Sequence, residues 1–309
     1  MDTFTVPYVS VVVPVYNDRV RLVRCLTALE QQTYPADRYE VIVVDNGSRE
    51  PVADLLERFP HSSLAVEGRP GSYAARNTGI ELASGEVLAF TDADCTPATD
   101  WLMRGVQRLC GEPDVGLVGG RIKLYFRDPE DPTTAELYER LFSFRQDENI
   151  RRYSFGSTSN IFTHRRVVED VGAFVEDLKS AGDVEWGQRV AAAGYQLVYA
   201  DDAVVDHPSR HSIAALMSRR RRMVGGRIDL TRHRQRTKLT RPQHVTKLTR
   251  PQHVLWGAKL VQDLIRIVRD PGLDGFIQRV RLMGVALTLR WIVLSETIRV
   301  RAGGESLRE

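Results

Sequence analysis

Residues 85–97 read GEVLAFTDADCTP. The run at 86–91 is almost wholly apolar, the mark of a strand buried on both faces. It stops abruptly at Thr91-Asp92-Ala93-Asp94. Two further runs share this character, VSVVVPV at 9–15 and EVIVVD at 40–45. Helical patterns separate them. Residues 19–31 place Val20, Val23, Leu26 and Leu29 near one face, and residues 73–83 follow a turn at Pro70-Gly71. Strand–helix–strand units of this length imply right-handed crossovers and a mainly parallel, Rossmann-like central sheet of the α/β class. In such sheets ligands sit beyond the carboxyl ends of the strands. Pro14-Val15-Tyr16-Asn17, Asp45-Asn46-Gly47-Ser48 and Thr91–Asp94 end the three runs, so three polar clusters converge on one edge.

Further along, a strand is expected near 115–124 and a helix over 133–147. Gly156-Ser157-Thr158-Ser159-Asn160 reads as a small-residue loop, with a helix starting near His164. Asp183 opens a helix that stops at Gly194. Strands at 196–199 and near 203–206 lead to His207-Pro208. From 212 the sequence becomes basic and helical to about 236. TKLTRPQHV at 237–245 is then repeated unchanged at 246–254. Nine residues are too few for a solenoid unit, and the prolines argue for a loop or a broken helix. The repeat reads as a duplication within an exposed connector. Two amphipathic helices fill 255–300, separated by Asp270-Pro271-Gly272.

The chain has 309 residues, 42% hydrophobic and 27% charged, an ordinary globular mix. Three cysteines, Cys25, Cys95 and Cys110, have neither disulfide-framework nor metal-ligand spacing, which points to a reducing, cytoplasmic setting. The N-terminus has no basic n-region and reads as a first strand rather than a signal peptide. No run of 18 apolar residues marks a transmembrane helix. Residues 219–250 hold 12 Lys/Arg and one acid, Asp229, whereas the remainder holds 31 basic and 39 acidic residues. The basic stretch suggests an anionic partner: a membrane surface, a phosphate-bearing substrate or nucleic acid.

In an extended segment, residues i and i+2 point the same way. Asp92 and Asp94 so placed can hold a hard divalent cation, Mn²⁺ or Mg²⁺, that bridges diphosphate oxygens. The bland alternative is a turn after a strand.

The segments VSVVVPVYN (9–17), EVIVVDNGS (40–48), RPGSYAARNTGI (69–80) and GEVLAFTDADCTP (85–97) agree in order and spacing with the nucleotide-binding half of family 2 glycosyltransferases. The resemblance continues through FGSTSNIFTHRRVVEDVGAF (155–174) and AGDVEWGQRVAAAGYQLVYADDAVVDHP (181–208), covering roughly residues 8–210. It implies a GT-A catalytic domain over 1–211, with a nucleotide-binding half to about 97 and an acceptor and catalytic half over 98–211. A basic helical extension over 212–309 follows.

The resemblance also implies site roles. Pro14, Tyr16 and Asn17 line the base pocket, Asp45 binds base or ribose, and Arg76 approaches the nucleotide or its phosphates. Asp92 and Ala93 sit on the nucleotide side, and Asp94 binds the metal, with Asp92 and His207 as further candidate ligands. Asp183 is the catalytic base, with Glu185 as the fallback. Many relatives have a Glu-Asp pair where this chain has Gly182-Asp183. Gly156, Ser157 and Asn160 are expected to shape the donor-sugar or acceptor pocket, and Trp186 to stack on a sugar or simply pack. Processive members carry a Gln-x-x-Arg-Trp motif, whereas the corresponding region here reads SRRRRMVGGR (218–227).

The expectation is therefore metal-dependent, inverting transfer of a single sugar from a nucleoside-diphosphate sugar, UDP-sugar favoured. The acceptor is a saccharide, a lipid-linked or a small-molecule hydroxyl, in cell-surface glycan or glycolipid synthesis. Nucleic acid is not an expected partner. The tail, LMGVALTLRWIVLSETI (282–298) above all, docks on the catalytic domain, on a second subunit, or on the inner face of a membrane as a peripheral contact. The rival reading is a nucleotide- or nucleic-acid-binding protein without transferase activity. It relies on residues 219–250, which lack aromatics for base stacking.

Overall fold

The computed structural model describes residues 6–237 and 252–307; most of the tandem repeat, 238–251, lies outside the described residues. The strands are β1 (Val9–Val15), β2 (Tyr39–Asp45), β3 (Ser62–Val66), β4 (Val87–Thr91), β5 (Thr96–Pro97), β6 (Val115–Tyr125), β7 (Asn160–His164) and β8 (Gln196–Pro208). They form one sheet in the order β3-β2-β1-β4-β7-β6-β8-β5. The helices are α1 (Arg19–Glu30), α2 (Ala53–Leu56), α3 (Ser72–Leu82), α4 (Trp101–Cys110), α5 (Thr134–Phe142), α6 (Gln146–Tyr153), α7 (Arg165–Val171), α8 (Gly182–Ala192), α9 (Ile213–Thr237), α10 (Gln252–Arg269) and α11 (Gly275–Arg301).

The chain divides into two compact units. The first comprises Met1–Lys123, Arg145–Asp177 and Gly182–His207; the second, Leu124–Phe144, Leu178–Ala181 and Pro208–Glu309.

In the first unit, β1 pairs in parallel with β2 and β4, and β2 with β3. The pairs Val15↔Asp45 and Val12↔Phe90 bring the carboxyl ends of β1, β2 and β4 to one edge. The pairs β4·β7, β6·β7 and β5·β8 are antiparallel, so antiparallel strands extend the parallel part of the sheet. The crossover argument holds for the βα units of the first half and does not extend beyond them. Against the sheet, α1 buries Leu22, Cys25, Leu26 and Leu29, while Val20, expected on that face, is exposed. The helix expected over 133–147 is two helices, α5 and α6, and the strands expected at 196–199 and 203–206 are one, β8.

In the second unit, α5 opens with a capping box. The Glu136 amide donates to Thr133 Oγ1 and the Thr133 amide donates to Glu136 Oε2. Its apolar side, Leu137, Tyr138 and Leu141, shares a core with Leu216 of α9, Ile267 of α10 and Leu282, Val285 and Leu289 of α11. Glu139, fully buried, accepts from the Arg210 amide at 2.8 Å and from the guanidinium groups of Arg210 (3.1 Å) and Arg219 (3.4 Å). Deleting one partner of a buried ion cluster leaves a charge uncompensated, which costs about 3–5 kcal/mol. Glu139→Ala is therefore expected to lower the denaturant midpoint markedly, measured by urea titration.

Candidate active site

All the polar groups described here belong to the first unit. At the end of β2, Asp45 is buried and its Oδ1 accepts from the Ser48 amide at 2.9 Å, a side-chain bond that closes the turn through Gly47. Asn17 follows β1 with φ 52°, the left-handed region that asparagine tolerates. Its amide donates to Ser48 Oγ (2.9 Å) and its Oδ1 accepts from the Arg49 amide (2.9 Å). Asn17 is thus a strap between two loops, while Tyr16 beside it is half exposed and Pro14 partly buried.

Asp92 and Asp94 follow β4 on either side of the buried Ala93, and they separate in environment. Both oxygens of Asp92 are engaged: Oδ1 by Arg76 Nη2 and Oδ2 by Ser159 Oγ at 2.5 Å. Ser159 reaches this place because β7 runs antiparallel to β4 with Thr91 opposite Asn160. Arg76 is buried on α3, also donates to the Ser72 carbonyl, and lies over the Tyr73 ring at 5.9 Å. In this structure its guanidinium holds Asp92.

Asp94 faces His207 and Arg21. His207 Nε2 lies 3.6 Å from Asp94 Oδ1, and Arg21 Nη1 lies 3.8 Å from Oδ2. The sheet register explains the first contact. Thr96 pairs with Asp206 and Pro97 with Val205 in antiparallel sense, so His207 falls opposite the Asp94–Cys95 corner. Burial pushes the Asp94 pKa up, and neighbouring Asp92 adds to it, while His207 and Arg21 oppose. Asp94, Cys95 and His207 offer an O, an S and an N within 4.8 Å of one another. Burial holds the Cys95 thiol protonated, its pKa pushed well up. A thiol is no ligand for a hard cation, which leaves a carboxylate and an imidazole, a set suited to Mn²⁺ and workable for Mg²⁺.

Asp183 lies at the second position of α8, with its Oδ1 accepting from the Val184 amide at 2.9 Å. Its pKa is raised, by burial first and by the charge of Asp92, with Arg76 and the Val184 amide pulling the other way. Tyr73 on α3 meets it twice: the phenol oxygen accepts from the Asp183 amide (3.3 Å) and lies 3.5 Å from Oδ1. A Cβ at residue 182 would stand 2.7 Å from the Tyr73 ring. Gly182, the departure from the Glu-Asp pattern, is what lets this tyrosine in. Sequence reasoning missed Tyr73, whose only signal was its place three residues before Arg76. Tyr73→Phe keeps the ring and loses the hydroxyl. If Asp183 takes part in the chemistry, turnover is expected to fall roughly three- to tenfold with KM unchanged and a shifted acid limb, measured as kcat against pH.

Glu185 is buried, and Arg189 binds both of its oxygens, Nε to Oε1 at 3.1 Å and Nη2 to Oε2 at 2.7 Å. Arg189 also donates to the carbonyls of Val171, Gly172 and Ala173. The pair ties α8 to the segment after α7. Trp186 packs: it is buried, 5.2 Å from Phe174, and donates to the Gly172 carbonyl. Asn160, expected in a sugar pocket, is fully buried. It accepts from Trp101 and donates to the carbonyls of Arg121 and Ala203, an internal tie of the sheet.

Residues 10–172 match the family model for Glycosyl transferase family 2, and the chain belongs to that family. Over 213 residues it is 44% identical to Glycosyltransferase AglE of Haloferax volcanii, covering 67% of this chain and 69% of that one. It is 32% identical over 222 residues to Pre-mycofactocin glycosyltransferase of Mycobacterium tuberculosis, covering 69% of this chain and 45% of the relative. Among solved structures it is similar to the mannosyltransferase PcManGT from Pyrobaculum calidifontis, in complex with GDP-Man and Mn²⁺. That likeness has a TM-score of 0.66 at 22% identity and covers 96% of this chain and 87% of that one. The fold is GT-A, and the protein is a glycosyltransferase that moves a sugar. A binding protein without transferase activity is set aside.

Proposed function

We propose that the protein transfers a single sugar, with inversion, from a nucleoside-diphosphate sugar to a hydroxyl acceptor, assisted by a divalent cation. The observation that supports this reading is that Asp45, Asp92, Asp94 and His207 end strands or follow them, with Asp183 of α8 within electrostatic reach of Asp92, and that Asp92 and Asp94 sit in different settings. Asp45 and Tyr16 flank the place for the nucleoside. Asp92, fixed by Arg76 and Ser159, faces the ribose side. Asp94 and His207 are the residues that would hold the cation, which when bound would neutralise charge on the departing diphosphate. Asp183 removes the acceptor proton. The acceptor oxygen forms its bond to the anomeric carbon as the bond from that carbon to the diphosphate oxygen breaks. The nucleoside diphosphate leaves with the electron pair, and the proton rests on Asp183.

UDP-sugar is the first donor to try. A panel of UDP-, GDP- and dTDP-sugars with and without Mn²⁺, read by thermal shift and by slow donor hydrolysis, tests the reading. Metal-enhanced stabilisation by one nucleotide series is the expected result, and no stabilisation by any of them overturns it.

A further inference from the structure

The second unit carries an apolar surface that the transferase reading does not use. Helix α11 is 27 residues long. One side, including Leu282, Val285 and Leu289, is buried in the unit's core. On the other side Phe276, Val280, Leu287, Trp291, Leu294 and Ile298 are exposed, Phe276 at 80% and Trp291 at 64%. At about 100° per residue these six fall within an arc of about 60°. They form a single stripe along the helix. Helix α10 adds Val261, Ile265 and Val268, exposed at i, i+4 and i+7. A contiguous exposed apolar surface of this kind marks a place where something binds.

Charge decides what binds. Residues 208–309 hold 22 Lys/Arg against 7 Asp/Glu. On α10 and α11 Arg266, Arg269, Arg281 and Arg301 are exposed, whereas Glu296 is buried and paired with Arg299. A second copy of this chain would set this positive face against itself. Nucleic acid would match the charge and leave the apolar stripe in water. An anionic lipid surface matches both features, with acyl chains for the stripe and headgroups for the arginines. Among the described residues no helix is long and apolar enough to cross a membrane, so contact lies along the surface.

We propose that the second unit docks on an anionic bilayer surface. The α11 stripe enters the headgroup–acyl boundary, Trp291 lies at headgroup depth, and the exposed arginines meet lipid phosphates. The claim stands independently of the donor-site reading.

The test is cosedimentation of the full chain with vesicles of phosphatidylcholine plus phosphatidylglycerol, and of phosphatidylcholine alone. Binding is expected to the first, weakened by salt, with a blue shift of tryptophan emission that Trp291→Phe removes. The double variant Leu287→Glu/Trp291→Glu changes only exposed positions. It is expected to keep its melting temperature and lose vesicle affinity by at least about tenfold. Equal binding by that variant overturns the proposal, as does equal capture by neutral vesicles. So does a wild-type dimer in solution that the variant splits while neither protein is captured by vesicles; the stripe is then a subunit interface.

Discussion

Turnover of the Asp183→Asn variant is expected to fall about 10²–10⁴-fold, the range for losing a positioned general base, with donor binding little changed. Asparagine has the shape of aspartate and keeps an oxygen for the Val184 amide, so α8 should start as before. It cannot accept the acceptor's proton. The pH profile carries the sharper signature. As the proposed base Asp183 would act only as the carboxylate, and burial together with Asp92 raises its pKa. The acid limb of kcat should therefore lie above that of an ordinary aspartate, activity being lost as pH falls through it. The linkage sign for stability is opposite. The folded chain binds this proton more tightly than the unfolded one, so ionised Asp183 destabilises, and its contribution improves as pH falls through the folded pKa. Kinetics against pH, beside calorimetric donor titration, check both. Glu185→Gln is the control, expected to lower the melting temperature through Arg189 and to leave the pH profile in place. Near-normal turnover of Asp183→Asn overturns the base assignment.

The parallel half of the fold was legible because its strands are buried on both faces. Runs expected at 9–15, 40–45 and 86–91 correspond to Val9–Val15, Tyr39–Asp45 and Val87–Thr91. β3 escaped because it is an edge strand of half-exposed residues, SSLAV, without a continuous apolar signal. β7 escaped because Asn160–His164 is five residues long and runs directly into α7. Missing β7 hid two facts together: the switch to antiparallel pairing, and the arrival of Ser159 at Asp92. β5 is only two residues, a pairing created by tertiary contact. Without it the meeting of His207 with Asp94 rested on resemblance alone. The candidate site was legible residue by residue from strand ends and motifs. Its internal division of labour was not, because it depends on partners far away in sequence. Arg76 reads in sequence as a cation for the nucleotide or its phosphates, and its tie to Asp92 is not legible there; Gly182 reads as a lost carboxylate, and the room it leaves for Tyr73 is not legible either.

That division of labour makes Asp94→Ala the second large effect. Among the described residues Asp94 and His207 offer the O and N donors of the proposed Asp94–Cys95–His207 cation site, and removal of the carboxylate would leave the imidazole as its one suitable donor. Mn²⁺ affinity is expected to fall at least about tenfold, and turnover roughly a thousandfold, the worth of several kcal/mol of charge neutralisation at the leaving group. Calorimetry or the electron paramagnetic resonance signal of free Mn²⁺ reads the first without reference to activity. Because burial raises the Asp94 pKa, a cation must displace a proton there at low pH. Mn²⁺ affinity of the unchanged protein should therefore rise as pH increases through that pKa, and this rise should vanish in Asp94→Ala. Asp92→Asn is expected to differ in kind. It weakens the partner of the buried Arg76, so its main cost is stability, with metal affinity reduced far less. If Asp94→Ala and His207→Ala both bind Mn²⁺ as the unchanged protein does, the cation is held elsewhere and the separation of roles between Asp92 and Asp94 falls. If Asp92→Asn alone abolishes binding, the assignment of the two carboxylates is reversed.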